Sequence, residues 1–156
     1  MKKKCLANQQ CPLARGYNVI GDWWSLLIVT QISLLNLRRF GDLQQSLGMA
    51  RNILTARLKK LVEEGILNRL PASDGSAFHE YVLTPKGRDL YKVIVALRQW
   101  GEKHFCDGLP PSEFLADRAK KQPIPPLEVR SAEGRILGAD DLVIEPRSRP
   151  TQTVPR

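Results

Sequence analysis

The stretch RNILTARLKKLVEEGIL, residues 51–67, places Leu54, Leu58, Leu61 and Val62 at i, i+4, i+7 and i+8, the spacing of one buried helical face. Asn52, Ala56, Lys59, Lys60 and Glu63 then fall on the opposite arc, with Arg51 and Thr55 flanking it at the N-terminal end. Gly65 stops the helix after Glu64. An outward face this rich in cations is either a solvated surface or one that meets a polyanion, and the helix alone favours the first. The neighbouring segments change the balance.

Immediately upstream, RRFGDLQQSLG (38–48) offers a shorter helix with Phe40, Leu43 and Leu47 at helical spacing, ending at Gly48. Before that, a first helix runs from about Asp22, its N-cap, to about Asn36; it is apolar almost all round, as suits an element packed on several sides. Three helices with a tight link between the second and third outline a helix-turn-helix. Downstream, ILNRL (66–70) and FHEYVLT (78–84) read as two strands around PASDGSA, where Asp74-Gly75 is a strong turn signal. The expected fold class is therefore mainly α with a small β-hairpin, a winged helix-turn-helix.

From Pro85 a last long helix is expected to reach about Phe105. Leu90, Ile94 and Leu97 form one apolar stripe, and Val93, Leu97, Trp100 and His104 a second beside it. One domain cannot easily cover so wide a face, so a C-terminal dimerisation helix and a homodimer are inferred.

Charge and proline divide the 156 residues in two. The formal net charge is +8, yet residues 107–156 hold eight basic and eight acidic side chains, so the whole excess lies in residues 1–106. Eight of the eleven prolines fall in 107–156 among polar residues. Residues 1–106 read as the DNA-binding and dimerisation domain, and 107–156 as a proline-rich tail or small accessory element, with a short hairpin possible within 127–145. Three cysteines, an odd number, and no secretory run at the start point to a reducing, cytoplasmic setting. The longest apolar stretch, 23–37, is shorter than the ~20 residues that span a bilayer and is interrupted by polar side chains, so no membrane association is expected.

In a helix-turn-helix the N-terminal half of the second motif helix enters the major groove. Arg51, Asn52, Thr55 and Lys59 are thus the candidates to reach double-stranded DNA. Arg can pair bidentately with guanine and Asn with adenine, while Thr can meet a thymine methyl. Lys59 and Lys60 suit phosphates, which add affinity and salt dependence rather than sequence choice. Arg38 and Arg39 at the mouth of the second helix, and Arg69 and His79 on the wing strands, lie on elements that flank a bound duplex; Arg39 and Arg69 rank ahead of His79.

Enzymatic signatures are missing: the chain has no Cys-x-x-Cys, His-Glu-x-x-His, glycine-rich phosphate loop or Gly-x-Ser-x-Gly. His79 and His104 are isolated, so neither a metal site nor a cofactor is expected. Residues 1–16 read as a polar arm in which Pro12 restrains Cys11 to an extended backbone. Cys11 itself has two readings, an inert half-buried residue or a thiol activated by basic neighbours such as Arg15. Cys5 would be its resolving partner in the second reading; Cys106 is unassigned.

The order of these motifs resembles the HxlR-type bacterial transcription regulators, relatives of the MarR-type winged helices. The likeness covers about residues 11–105: the Cys11-Pro12 start, Ile20-Gly21-Asp22-Trp23-Trp24, Arg39-Phe40, Leu54-Thr55-Ala56-Arg57-Leu58, Tyr81-Val82-Leu83-Thr84-Pro85-Lys86-Gly87 and Trp100-Gly101. It implies a dimer whose paired domains read an inverted repeat, and a response to a small reactive effector such as an aldehyde, quinone or oxidant, with Cys11 at the position of the family's sensing cysteine. Two features depart from the pattern. Ala50 stands where the family commonly has a capping Ser, and the tail beyond residue 106 is absent from shorter members. Two rival readings remain at this level: a winged-helix protein-interaction module without specific DNA binding, and a small-molecule binder with a pocket beside Trp23, Trp24 and Trp100.

Overall fold

A buried carboxylate organises the start of the domain. In the computed structural model, which describes residues 11–106 and 112–145, the Asp22 side chain accepts hydrogen bonds from the Ser25 N–H (3.0 Å) and the Ser25 hydroxyl (2.8 Å). It thereby caps helix α2, Trp23–Leu34. The expected end near Asn36 falls two residues earlier, because Asn36 adopts a left-handed φ of 56° and turns the chain out of the helix.

The segment read as a polar arm is partly helical. Helix α1 covers Pro12–Ile20, with Cys11 as an extended N-cap and Pro12 at the first helical position, where a missing N–H costs nothing. Gly21 ends it by donating its N–H to Tyr17 O at 2.8 Å; a Cβ at Gly21 would sit 2.2 Å from that same oxygen. Cys5 and the rest of the arm lie outside the described residues.

Helix α3 (Phe40–Leu47) and helix α4 (Arg51–Glu63) form the helix-turn-helix, joined through Gly48 at φ 60°. Ala50 is extended at the N-cap of α4 and its side chain offers no cap bond. Leu54, Leu58 and Leu61 are buried to 1% exposure or less, and they cluster with the buried Ile28, Val29 and Ile32 of α2, Leu43 of α3 and Met49. At about 1.5–3 kcal/mol for each fully buried large aliphatic side chain, this stripe fixes how α4 is rotated about its axis.

The wing is an antiparallel pair, β1 (Leu67–Pro71) and β2 (His79–Leu83), in the register Leu67↔Leu83, Arg69↔Tyr81 and Pro71↔His79. The segment preceding α3 meets its edge in one isolated antiparallel bridge, Arg39↔Glu80, and Tyr81 N–H donates to Arg38 O at 2.8 Å.

The long final helix expected from Pro85 is instead two. Helix α5, Pro85–Arg88, is separated from α6, Tyr91–Phe105, by a turn at Asp89-Leu90. Its cause is tertiary. Thr84 caps α5 by accepting the Gly87 N–H and donates its own hydroxyl to Gly65 O at 2.6 Å, while Lys86 donates to Glu64 O at 2.6 Å. Gly87 lies against the Ile66 carbonyl so closely that a Cβ would meet it at 2.2 Å. Helix α5 thus serves as the end-plate of α4.

Among the described residues, neither α2 nor α6 is covered on all sides. Trp23, Leu35, Val93, Leu97 and Trp100 are exposed, as are Leu13 and Tyr17 of α1. Ile94 of α6 is buried and Leu90 of the preceding turn half-buried against the core, whereas Leu97 of the same stripe is exposed, so only the start of the first expected stripe is used internally.

The described residues from Cys106 onward belong to a separate compact unit. In place of a regular hairpin, 127–145 holds a single antiparallel bridge, Arg130↔Ile136, closed by a turn at Gly134 (φ 88°), followed by a 3-10 turn at Ala139–Asp141. Of its large apolar side chains, Leu127, Val129, Ile136, Leu142, Val143 and Ile144 are exposed and Leu137 is half-buried.

The uncapped start of α4 yields a stability prediction. Ala50→Ser, introduced where the backbone is already extended (φ −61°, ψ 138°), should raise unfolding free energy by about 1 kcal/mol in denaturant titrations. An unchanged midpoint would show that solvent or packing already satisfies the first N–H groups of α4.

Candidate nucleic-acid interface

With its leucines committed to the core, α4 turns Arg51, Asn52, Thr55 and Lys59 outward, all exposed. The wing rises beside them, so that helix and hairpin bound two adjoining open clefts of about 590 Å³ each. Phe40, Arg51, Arg69 and Tyr81 line both. Thr55 and Lys59 extend the first cleft along α4, and Arg39, Phe78 and His79 line the second toward the wing tip.

The cations here are held rather than loose. Arg51 packs its guanidinium 5.7 Å from the centre of the Phe40 ring, and Thr55 donates to Arg51 O at 2.8 Å. Lys59 lies 3.8 Å from Glu63 one turn on, both largely exposed, so the pair is weak. Arg69 meets His79 Nδ1 at 3.1 Å across the strands.

Arg39 is the most engaged. It donates to Asp74 Oδ2 at 2.5 Å, lies 3.8 Å from the Glu80 carboxylate and 6.0 Å from the Phe78 ring centre. Asp74 raises the Arg39 pKa further above its already high value. In return, Ser76, whose backbone N–H donates to Oδ1, and then the Arg39 guanidinium hold the Asp74 carboxyl well below the usual range.

The remaining candidates are placed differently. Arg38 is exposed in the loop before α3, its Nε donating to Asn36 Oδ1 at 2.9 Å, and lines neither cleft. Asn52 also lies outside both clefts, at the start of α4. Lys60 points back into the domain, donating its amine to Asn18 O of α1 at 2.5 Å, away from the Arg51–Lys59 face. One turn earlier Arg57, which the helical pattern did not single out, reaches the capping carboxylate of Asp22 at 3.3 Å. Sequence reasoning also passed over Phe40, Phe78 and Tyr81. Period-two alternation along β2 carries the signal for Tyr81, which shares a strand face with His79 and stands opposite Arg69.

Cys11 is exposed at the N-cap of α1, and Cys106 is half-buried. Among the described residues no cluster of three His, Cys, Asp or Glu side chains is arranged to hold a metal, and no helix is long and apolar enough to cross a membrane. Trp23 stacks on Trp24 at 3.7 Å and Trp100 packs edge-on to Phe105, and no tryptophan lines either cleft.

The family model described as HxlR-like helix-turn-helix matches residues 19–108. The chain belongs to the HxlR-like helix-turn-helix family. A Mycobacterium tuberculosis relative, an uncharacterized HTH-type transcriptional regulator, is 42% identical over 93 residues, covering 60% of this chain and 58% of the relative. The matched region thus spans less than two thirds of such curated relatives. The crystal structure of PA1607, a candidate transcription factor, superposes with a TM-score of 0.83 at 46% identity over 89% of this chain and 96% of that one. The redox regulator HypR in its reduced form matches at TM-score 0.50 and 27% identity, over 60% of this chain and 92% of its own. The fold is the winged helix of these HxlR-like, HTH-type regulators of transcription.

The inward turn of Lys60 separates two neighbouring lysines. Lys60→Met should lower unfolding free energy by about 1 kcal/mol, since Asn18 O loses a charged donor, whereas Lys59→Met should leave it within about 0.5 kcal/mol. Denaturant midpoints of the two variants compare them directly, and equal midpoints would refute the internal role of Lys60.

Proposed function

We propose that this HxlR-like regulator is a homodimer that binds an inverted-repeat operator in double-stranded DNA, α4 entering the major groove and the wing reaching the backbone beside it. The observation that carries this reading is the convergence of Arg39, Arg51 and Arg69 with Thr55 and Lys59 along one groove between recognition helix and hairpin. Nothing in a solvated surface requires cations from α3, α4 and β1 to meet in one place. Arg51, braced on Phe40, is positioned for base contact. Lys59, Arg39 and Arg69 supply phosphate contacts, as does the exposed Arg38 at the rim. Asn52, exposed on the first turn of α4 outside both clefts, is the second candidate for a base contact.

A homodimer accounts for the apolar surface that one chain leaves open on α1, α2 and α6. Two copies joined there would set their recognition helices one helical turn of DNA apart, about 34 Å. Residues 1–106 would then form the DNA-binding and dimerisation domain, with 107–156 as an accessory element.

Control by oxidants or electrophiles through Cys11 is the finer part of the proposal. Its support is an exposed thiol at the N-cap of α1 and the likeness to a redox regulator. The Cys5 partner falls outside the described residues.

Fluorescence anisotropy with the DNA flanking the gene, across a salt series, tests both parts. Arg51→Ala should weaken specific binding by about 10-fold, the scale of one bidentate base contact. Binding that prefers no sequence and ignores Arg51→Ala would transfer support to the protein-interaction reading. A mild thiol oxidant should release wild-type protein but not Cys11→Ser; equal release of both would eliminate Cys11 as the sensor.

A further inference from the structure

The wing tip carries an acidic group where a DNA-binding surface would be expected to carry none. Asp74 sits in the hairpin turn, half exposed, and its Oδ2 accepts from Arg39, 35 residues earlier at the N-cap of α3. We propose that Asp74 is an internal stand-in for a DNA phosphate: in the free protein it occupies the Arg39 guanidinium, and a backbone phosphate must displace it on binding. This rests on the DNA-binding reading above and adds to it a built-in competitor that tempers affinity for any duplex.

The chemistry of exchange is direct, because carboxylate and phosphate oxygens take the same charge-assisted hydrogen bonds from a guanidinium. The alternative is that the pair pins the wing in place, and the local bonding argues against it. The hairpin turn closes by itself: Gly75 N–H donates to Ala72 O at 3.2 Å, Ala72 N–H to Phe78 O at 3.0 Å, and Ser76 N–H to Asp74 Oδ1 at 3.0 Å. Asp74 therefore spends one oxygen on the turn and the other on Arg39, and losing the second leaves the turn intact. The base of the wing is anchored separately by the β1–β2 ladder and by Tyr81 N–H donating to Arg38 O.

Arg39 also keeps its place without Asp74. The buried Glu80 carboxylate, held by the Ser73 hydroxyl at 3.0 Å, remains 3.8 Å below it, and the Phe78 ring lies alongside. Released, the guanidinium would face the same cleft as Arg51 and Arg69. Both members of the pair are accessible, at 37% and 51% side-chain exposure, so a phosphate can reach one and water the other. The depressed Asp74 pKa keeps this competitor charged throughout the neutral range.

A double-mutant cycle in the full chain tests the exchange: wild type, Asp74→Asn, Arg39→Gln and the pair, titrated by anisotropy against promoter-flanking and random-sequence duplexes. Asn retains the acceptor that closes the turn, and circular dichroism melts confirm that each variant folds. Asp74→Asn should tighten binding to both duplexes by about two- to five-fold, the range of an exposed ion pair. In the Arg39→Gln background the same substitution should give no gain. An equal gain in both backgrounds would reduce the effect to overall charge and overturn the proposal. So would a loss of affinity in Asp74→Asn, which would make the pair a wing brace. Wild-type binding that responds to Arg51→Ala alongside a flat Asp74→Asn removes the stand-in alone; a wild type that binds neither duplex removes the DNA-binding reading and this inference with it.

Discussion

Everything on the outward face of the domain follows from three leucines. Leu54, Leu58 and Leu61 are removed from solvent against α2 and α3, which fixes the rotation of α4 and so decides which of its side chains are available. A rotation of one residue, about 100° around the axis, would bury Thr55 and Lys59 and expose the core. The cations of the groove are thus placed by hydrophobic burial on the other side of the same helix. Replacing any one of those leucines by Ala should be felt at the groove as well as in stability, with a cost of about 2–5 kcal/mol.

The electrostatics of the groove are moderated at each position. Arg39 has Asp74 and Glu80, Lys59 has Glu63, Arg69 has His79, and Arg51 has an aromatic ring. Exposed pairs of this type contribute little to folding, on the order of 0–1 kcal/mol. Their larger effect is to hold long side chains near a chosen geometry, which reduces the entropy lost when they are fixed on a ligand. A basic excess confined to residues 1–106 thus coexists with local partners for most of the cations that line the groove.

Much of the architecture was legible because it is local. The 3.6-residue spacing of leucines, Gly48 and Gly65 at left-handed φ, and Asp74-Gly75 between alternating strands each act within a few residues. What escaped depends on contacts distant in sequence. Pro12 and Gly16 disguised α1 as an arm, although Pro at the first position of a helix is favourable. The division of α5 from α6 is imposed by the Ile66 carbonyl, 21 residues before Gly87 in the numbering. Lys60 lies on the polar arc of the wheel, yet the wheel does not know that α1 packs against that arc. The Arg39–Asp74 pair bridges 35 residues, a separation at which spacing carries no information.

The attachment of α1 to α4 has a mechanical side. Arg57 and Lys60 fasten the C-terminal half of α4 to Asp22 and Asn18, whereas its first turn, beginning after an uncapped Ala50, is held by the burial of Leu54 and the Arg51–Phe40 contact. Arg51 lies six to nine residues from those fastenings, about 9–13 Å along the axis. The polar fastenings thus sit at the heel of the helix. A tilt of about 10° at the heel carries the Arg51 end sideways by about 2 Å, close to the spacing that separates a formed hydrogen bond from a broken one. Any tilt of α4 about those fastenings is therefore largest at the end of the helix that carries Arg51.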